Sequence, residues 1–402
     1  MQRAEKNFHL CNVRVWAAIV LLFAACQFCA QTLSAQEIWA ANNGHARQIA
    51  PYFQASPAKT DPKLPCSVFH FPTHLSFGFQ YWSGFDVNIQ SRDFVNSAKD
   101  IPLTVAAEIT NQRGEKYYYY QRTSLPQGIP EEAWRSKSVT LNFGGSYLVG
   151  VGKYSAKLLV VDGDGRSCWK QWRFEAPKVK APVPTPPGEV RSNVMIWDGL
   201  KAVENGERVT VFLHAAPFYS RRSPTRLRPW DKSVLLGSLT ALLKQAPYSN
   251  VRIVAFNLDA RKVIYQSETF ERRDFFALAR ALDNLDLGTV SVRTLQQDSE
   301  ASFLASLMKT EASVPFESQR SQSAIIIGPN WRWGQKPDPA MVELRNSFKD
   351  IHYLAFQSAY RDATDSLMYL VKAGRGKVIG IFTPLDLAKA IETITGNVRS
   401  EK

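Results

Sequence analysis

The chain has 402 residues, 45% hydrophobic and 21% charged, which is long enough for two domains with separate cores and too apolar for a disordered tail. Lys and Arg number 49 against 36 Asp and Glu, a formal charge of +13. That excess favours an anionic partner, such as a cell-wall polymer, a lipid head group or an acidic protein surface. No nucleic-acid motif accompanies it, so nucleic acid is not an expected partner.

Residues 1–35 differ in texture from the rest. Arg3, Lys6 and Arg14 precede an uncharged apolar run from Val15 to Ala30, and Leu33-Ser34-Ala35 then supplies small residues. This order predicts a secretory signal peptide cut after Ala35, and therefore an exported, periplasmic or extracellular protein with no transmembrane span once the leader is removed. Lipidation at Cys26 is the alternative. The leader carries a net +2, which leaves +11 on the mature chain. Of five cysteines, Cys66 and Cys168 alone lie beyond the leader, and an even pair in an oxidising compartment is expected to form a disulfide.

Residues 36–65, rich in Ala, Asn, Gln and Pro, are expected to form a linker. From Cys66 to about Ala176 the pattern alternates with period two: Val68–Phe71, Leu75–Phe79, Phe85–Ile89, Leu103–Ile109, Lys116–Gln121, Ser138–Phe143, Ser155–Val161 and Trp169–Phe174. Such runs predict a two-sheet sandwich of immunoglobulin type. Tyr117–Tyr120 should place two rings in the core and two on an exposed contact strip. Asp162-Gly-Asp-Gly165 reads as a hairpin turn; it lacks the glutamate that a calcium loop requires. Pro182, Pro184, Pro186 and Pro187 make residues 177–192 an extended spacer between domains.

After the spacer, over 193–397, the pattern changes. Val209–Leu213, Val251–Phe256, Ala324–Ile327, Ile351–Phe356 and Lys377–Phe382 are short, continuous apolar runs, as parallel strands covered on both faces require. Helical patterns at Lys232–Gln245, Arg273–Asp283, Glu300–Lys309, Pro339–Phe348 and Asp365–Ala373 separate them. Arg261–Gln266 follows its predecessor closely and is expected as an antiparallel edge strand. A last helix starts from Thr383 and Pro384 and should stop at Gly396. The expected fold is multidomain, an all-β sandwich followed by a doubly wound, Rossmann-like α/β domain.

The order of Val209–Leu213, Val251–Asn257, Leu285–Thr289, Ala324–Asn330 and Leu370–Phe382 resembles the von Willebrand factor type A (vWA) family. The resemblance implies an interaction domain. It also implies a metal-ion-dependent adhesion site on an Asp-x-Ser-x-Ser loop after the first strand, since a hard cation takes oxygen ligands. In this chain those positions are His214, Ala216 and Phe218, and Thr289 alone survives of the partners on other crossovers. A degenerate, metal-free site is therefore expected, with no cofactor.

Ligands of such sheets bind outside the carboxyl ends of the strands. The loops expected there carry Tyr219, Arg221, Arg222, Arg226, Arg228, Trp230, Trp331, Arg332 and Trp333, with Phe218, Tyr360 and Arg361 nearby. Arginine with tryptophan and tyrosine is the composition of interface hot spots. The leading expectation is an exported, non-enzymatic binding or scaffold protein, with a protein or an anionic envelope polymer as partner. The alternative is an envelope-acting hydrolase or transferase using His214 as base, although no nucleophile elbow accompanies it.

Overall fold

A computed structural model of the chain describes residues 37–54, 62–94, 102–124, 132, 135, 139–193, 207–218, 225–246, 248–287, 300–312, 322–330, 348–356 and 366–400. The leader and the helix expected at 339–347 lie outside them. The chain divides into two compact units. The first comprises residues 1–73, 83–176 and 187–193, and the second residues 74–82, 177–186 and 194–402.

The first unit contains two sheets. One runs in the order β1 (Glu37–Ala40), β5 (Lys116–Ser124), β4 (Pro102–Asn111), β7 (Gly152–Val161), β8 (Ser167–Ala176), antiparallel throughout. The other runs β2 (Ser67–Leu75), β3 (Tyr81–Gln90), β6 (Thr140–Val149), β9 (Val190–Ser192). Period-two burial sends Phe85, Val87 and Ile89 inward from β3, and Ala156, Leu158 and Val160 from β7. Gly145 is required beneath this layer, because a Cβ there would stand 2.6 Å from the Phe85 ring and 2.8 Å from Tyr119.

Residues 36–65 correct the expected linker. They contain β1, paired with β5, and helix α1 (Gly44–Gln54). Ala46, Ile49 and Phe53 recur at helical spacing and pack on Ala106, Tyr118 and Leu159, the outward side chains of the five-stranded sheet. That apolar stripe was present in the sequence but short, and Pro51 obscured it. The same helix corrects the tyrosine strip: Tyr118 under α1 and Tyr119 in the sandwich core are 3% and 0% exposed, so neither face of the strand is an open contact surface there.

Cys66 and Cys168 form a disulfide that joins the segment before β2 to β8. The Asp162–Gly165 turn connects β7 to β8. The Asp162 carboxylate accepts hydrogen bonds from the backbone N–H of Asp164 and Arg166 and from Arg166 Nε, and Gly165 takes φ +77°, which suits glycine.

The second unit is built on one six-stranded sheet in the order β12 (Lys262–Ser267), β11 (Tyr248–Asn257), β10 (Glu207–His214), β13 (Gln322–Pro329), β14 (Ile351–Phe356), β15 (Lys377–Ile381). All neighbours are parallel except the β11–β12 pair at the edge. Helices α2 (Pro229–Gln245), α3 (Arg272–Asp283) and α6 (Pro384–Ser400) cover one face, and α4 (Glu300–Ala312) and α5 (Ser366–Ala373) the other. The central strands are therefore apolar on both sides: Val209, Val211 and Leu213 face α2, while Phe212, Val254 and Ala324 face α4 and α5.

Two details of this unit depart from the sequence reading. Helix α6 runs through Gly396 to Ser400. Nothing crowds that position, and a helical glycine costs only about 1 kcal/mol, so it does not end the helix. Its start is as expected, with Thr383 and Asp386 capping each other reciprocally. The turn between β2 and β3 supplies the other departure: Phe79 is buried in the α2 face of the core. The turn's backbone lies so close to α2 that a Cβ on Gly237 would fall 3.0 Å from the Gly78 nitrogen.

Candidate functional site

The chain leaves β10 at a point where its two neighbours, β11 and β13, lie on opposite sides, so the crossovers diverge and the carboxyl edge opens between them. Side chains from the flanking strands close the base of that opening. Asn257, fully buried at the end of β11, donates to the Ala215 carbonyl at 2.7 Å and accepts from the Ala260 N–H. Ala215 in turn donates to the Phe256 carbonyl.

The three positions where the resemblance would put metal ligands all point inward. His214 is 1% exposed, stacks on Phe256 with centroids 5.3 Å apart and hydrogen-bonds the backbone of Pro329. Gly328 presses on it so closely that a Cβ would stand 2.5 Å from the His214 Cβ. Ala216 is fully buried, and the Phe218 ring meets Phe356 and Trp230 edge-on at 5.5 and 5.7 Å. Among the described residues, no group of three or more His, Cys, Asp or Glu side chains could hold a metal ion. The crossover is an apolar plug.

Burial pushes the His214 pKa down to about 4, against a donor bond to Pro329 that acts weakly the other way. His214, the base of the alternative expectation, is thus buried away from solvent. A pH dependence follows from it. The unfolded side chain titrates near 6.5, so the neutral folded form contributes full stability above that pH. The contribution falls as pH drops from 6.5 through 4, by up to about 3 kcal/mol. Burial lowers the His352 pKa too, which adds in the same direction. Melting temperatures across this window should fall less steeply in His214→Asn than in the natural chain; equal slopes would show that His214 is not the group responsible.

The loop after the plug is organised by Asp231, whose role as a cap the sequence reading missed. Its carboxylate is fully buried and accepts from the backbone N–H of Phe218 and Arg228, both at 3.1 Å, and from Arg228 Nε and Nη2 at 2.9 and 3.0 Å. It stands third in α2, where it also answers the positive end of the helix. The signal was legible, since Pro229 suits the first helical position and an acid two residues on completes the cap, but a helix start placed at Lys232 hid it.

Of the nine expected binding residues, three are described. Arg226 is exposed. Trp230 is 49% exposed, with one edge on Phe218. Arg228 is half exposed, but its guanidinium is committed bidentately to Asp231, so its first role is to hold the loop. Tyr219, Arg221, Arg222, Trp331, Arg332 and Trp333 lie outside the described residues, as do Thr289, Tyr360 and Arg361.

No family model and no curated protein matches the chain. Among solved structures, the chain is similar to the structural-genomics target SoR45 (14% identity, 29% of this chain and 89% of that one, TM-score 0.18). It is also similar to a candidate ApaA protein from Bordetella pertussis (14% identity, 30% and 99%, TM-score 0.18). A von Willebrand factor type A protein from Catenulispora acidiphila matches over 61% of this chain and 46% of its own, at 12% identity and TM-score 0.27. At these scores the matches carry no argument about fold or function.

Proposed function

We propose that this is an exported binding or scaffold protein. In this reading an immunoglobulin-like sandwich carries a Rossmann-like, vWA-type domain that recognises a protein or an anionic envelope polymer without a metal. The observation that supports it most is the filled crossover after β10. His214, Ala216 and Phe218 are buried where a metal-bridging domain would present ligands, while Arg226 and Trp230 remain exposed on the same loop. Recognition then rests on guanidinium and indole groups, which suit carboxylate or phosphate oxygens and flat apolar surface. The disulfide fits an oxidising compartment. Among the described residues no helix is long and apolar enough to cross a membrane.

Capture of partners from an envelope extract by the mature chain tests this. Arg226→Ser with Trp230→Ala should weaken capture at least tenfold, about 1.4 kcal/mol, at an unchanged melting temperature, and a chelator should have no effect. Arg228→Ser should instead lower the melting temperature, because it strips Asp231 of its fork. Capture that survives the double change, or that disappears with chelator, would refute the reading.

A further inference from the structure

The outward face of the four-stranded sheet in the first unit has a different chemistry from the rest of this basic chain. Strand β3 turns Asp86, Asn88 and Gln90, each partly exposed, outward and opposite the buried Phe85, Val87 and Ile89, while Gly84 on the same side is buried. Strand β6 meets them in cross-strand pairs. Asn142 Nδ2 donates to Asn88 Oδ1 at 2.9 Å, Gln90 Nε2 donates to Thr140 Oγ1 at 3.4 Å, and the Asp86 carboxylate lies over Gly144, 2.6 Å from where a Cβ would stand. Asp86 itself has no hydrogen bond or ion pair among the described residues. At the β2 side, Phe71 lies over Gly84, and Phe69, 58% exposed, meets Phe71 edge-on at 5.6 Å.

We propose that this face is a glycan-binding surface for an extended, neutral polysaccharide. The two glycines let Phe71 and the Asp86 carboxylate lie close against the sheet, over Gly84 and Gly144, between the exposed Phe69 and the amide ladder. From Gly84 to Gln90 this face runs roughly 20 Å along the strand, long enough for a chain rather than a single sugar. A pyranose offers an apolar C–H face and a girdle of hydroxyls. The Phe69 and Phe71 rings suit the first, and the second is met by groups that both donate and accept, the Asn88–Asn142 and Gln90–Thr140 pairs, with Asp86 as an acceptor still unfilled. Charge selects the class: the chain has 49 Lys and Arg, yet none stands at the outward positions of β3 or β6, and Arg191 on β9 is paired with Glu189, so a polyanion gains little here. A protein partner would want a larger apolar centre than two phenylalanines supply.

Affinity electrophoresis of the full mature chain through gels containing glycogen, hydroxyethylcellulose, galactomannan or soluble chitosan-free chitin oligomers reads this directly. At least one neutral glycan should retard the chain, with retardation unchanged by added salt. Phe69→Ala and Asn142→Ala should each weaken it about tenfold while the melting temperature holds, and Phe69→Trp should preserve it. Arg226→Ser with Trp230→Ala, in the other unit, should leave it untouched, so loss of the sheet-edge function and loss of this one are separable. No retardation by any of the glycans, retardation abolished by salt, or retardation indifferent to both Phe69→Ala and Asn142→Ala would overturn the proposal.

Discussion

Replacing Glu311 by Ala is expected to destabilise the second unit by about 3–5 kcal/mol, the cost of leaving a buried charge without its partner. Arg252 and Glu311 are 4% and 1% exposed. The pair is bidentate, through Nε to Oε2 and through Nη2 to Oε1 at 3.1 Å, and Gln266 donates to the same carboxylate at 2.9 Å. Arg208, a charged side chain close to Arg252, is of the same sign; burial first, then Arg252, brings the Arg208 pKa down to about 10, with Glu268 acting the other way. The melting temperature should drop on the order of 10 °C for a unit of this size. Arg252→Met with Glu311→Leu should recover most of the loss, because the pair must first offset its own desolvation. A single variant as stable as the natural chain would show that the guanidinium reaches water.

Loss of the disulfide should weigh as heavily on the first unit. Cys66 and Cys168 are 102 residues apart, so opening the bond frees a long loop in the unfolded chain, worth up to about 4–5 kcal/mol. With Cys66→Ser and Cys168→Ser together, the denaturant midpoint of the first unit should fall while that of the second stays. Reductant should reproduce the shift in the natural chain and do nothing to the double variant. Two free thiols by mass spectrometry on unreduced protein would refute the bond outright.

Much of the second unit was legible because its signals are strong and local. Runs such as Ala324–Ile327 and Ile351–Phe356 are too short for helices and too uniformly apolar for a half-exposed strand, and the edge strand after β11 announced itself by its tight connection. Most of the first unit's strands were as plain. The run Leu75–Phe79, expected as a strand, is after Leu75 the turn between β2 and β3, and β1, β9 (inside the expected spacer) and α1 were not read at all. In α1, three buried apolar residues on eleven, with an internal proline, carry little weight until the tyrosine face they cover is known. The candidate site was legible as a location and less so in its detail. Composition put arginines and aromatics at the carboxyl edge, yet it cannot distinguish Arg226, which faces solvent, from Arg228, which is tied to a carboxylate three residues away. Separations of that kind depend on where a helix begins, and α2 begins three residues before its apolar pattern does. The inward turn of His214 was hidden for another reason, since it depends on Gly328, more than a hundred residues later.

The discontinuity of the second unit governs the order in which the chain can mature during synthesis. Phe77 packs edge-on against Phe356, and Gly78 against Gly237, so the turn at 74–82 leaves the ribosome long before the helix and strands that will receive it. Domains ordinarily close in turn from the N-terminus. Here the α2 face of the later core stays incomplete until an early segment is handed to it, and a chain begun after the proline stretch would lack Phe77 and Phe79 altogether. The two units are thus not interchangeable cassettes: a genetic exchange at the spacer, the place where the sequence invites one, would separate a core from part of its own filling.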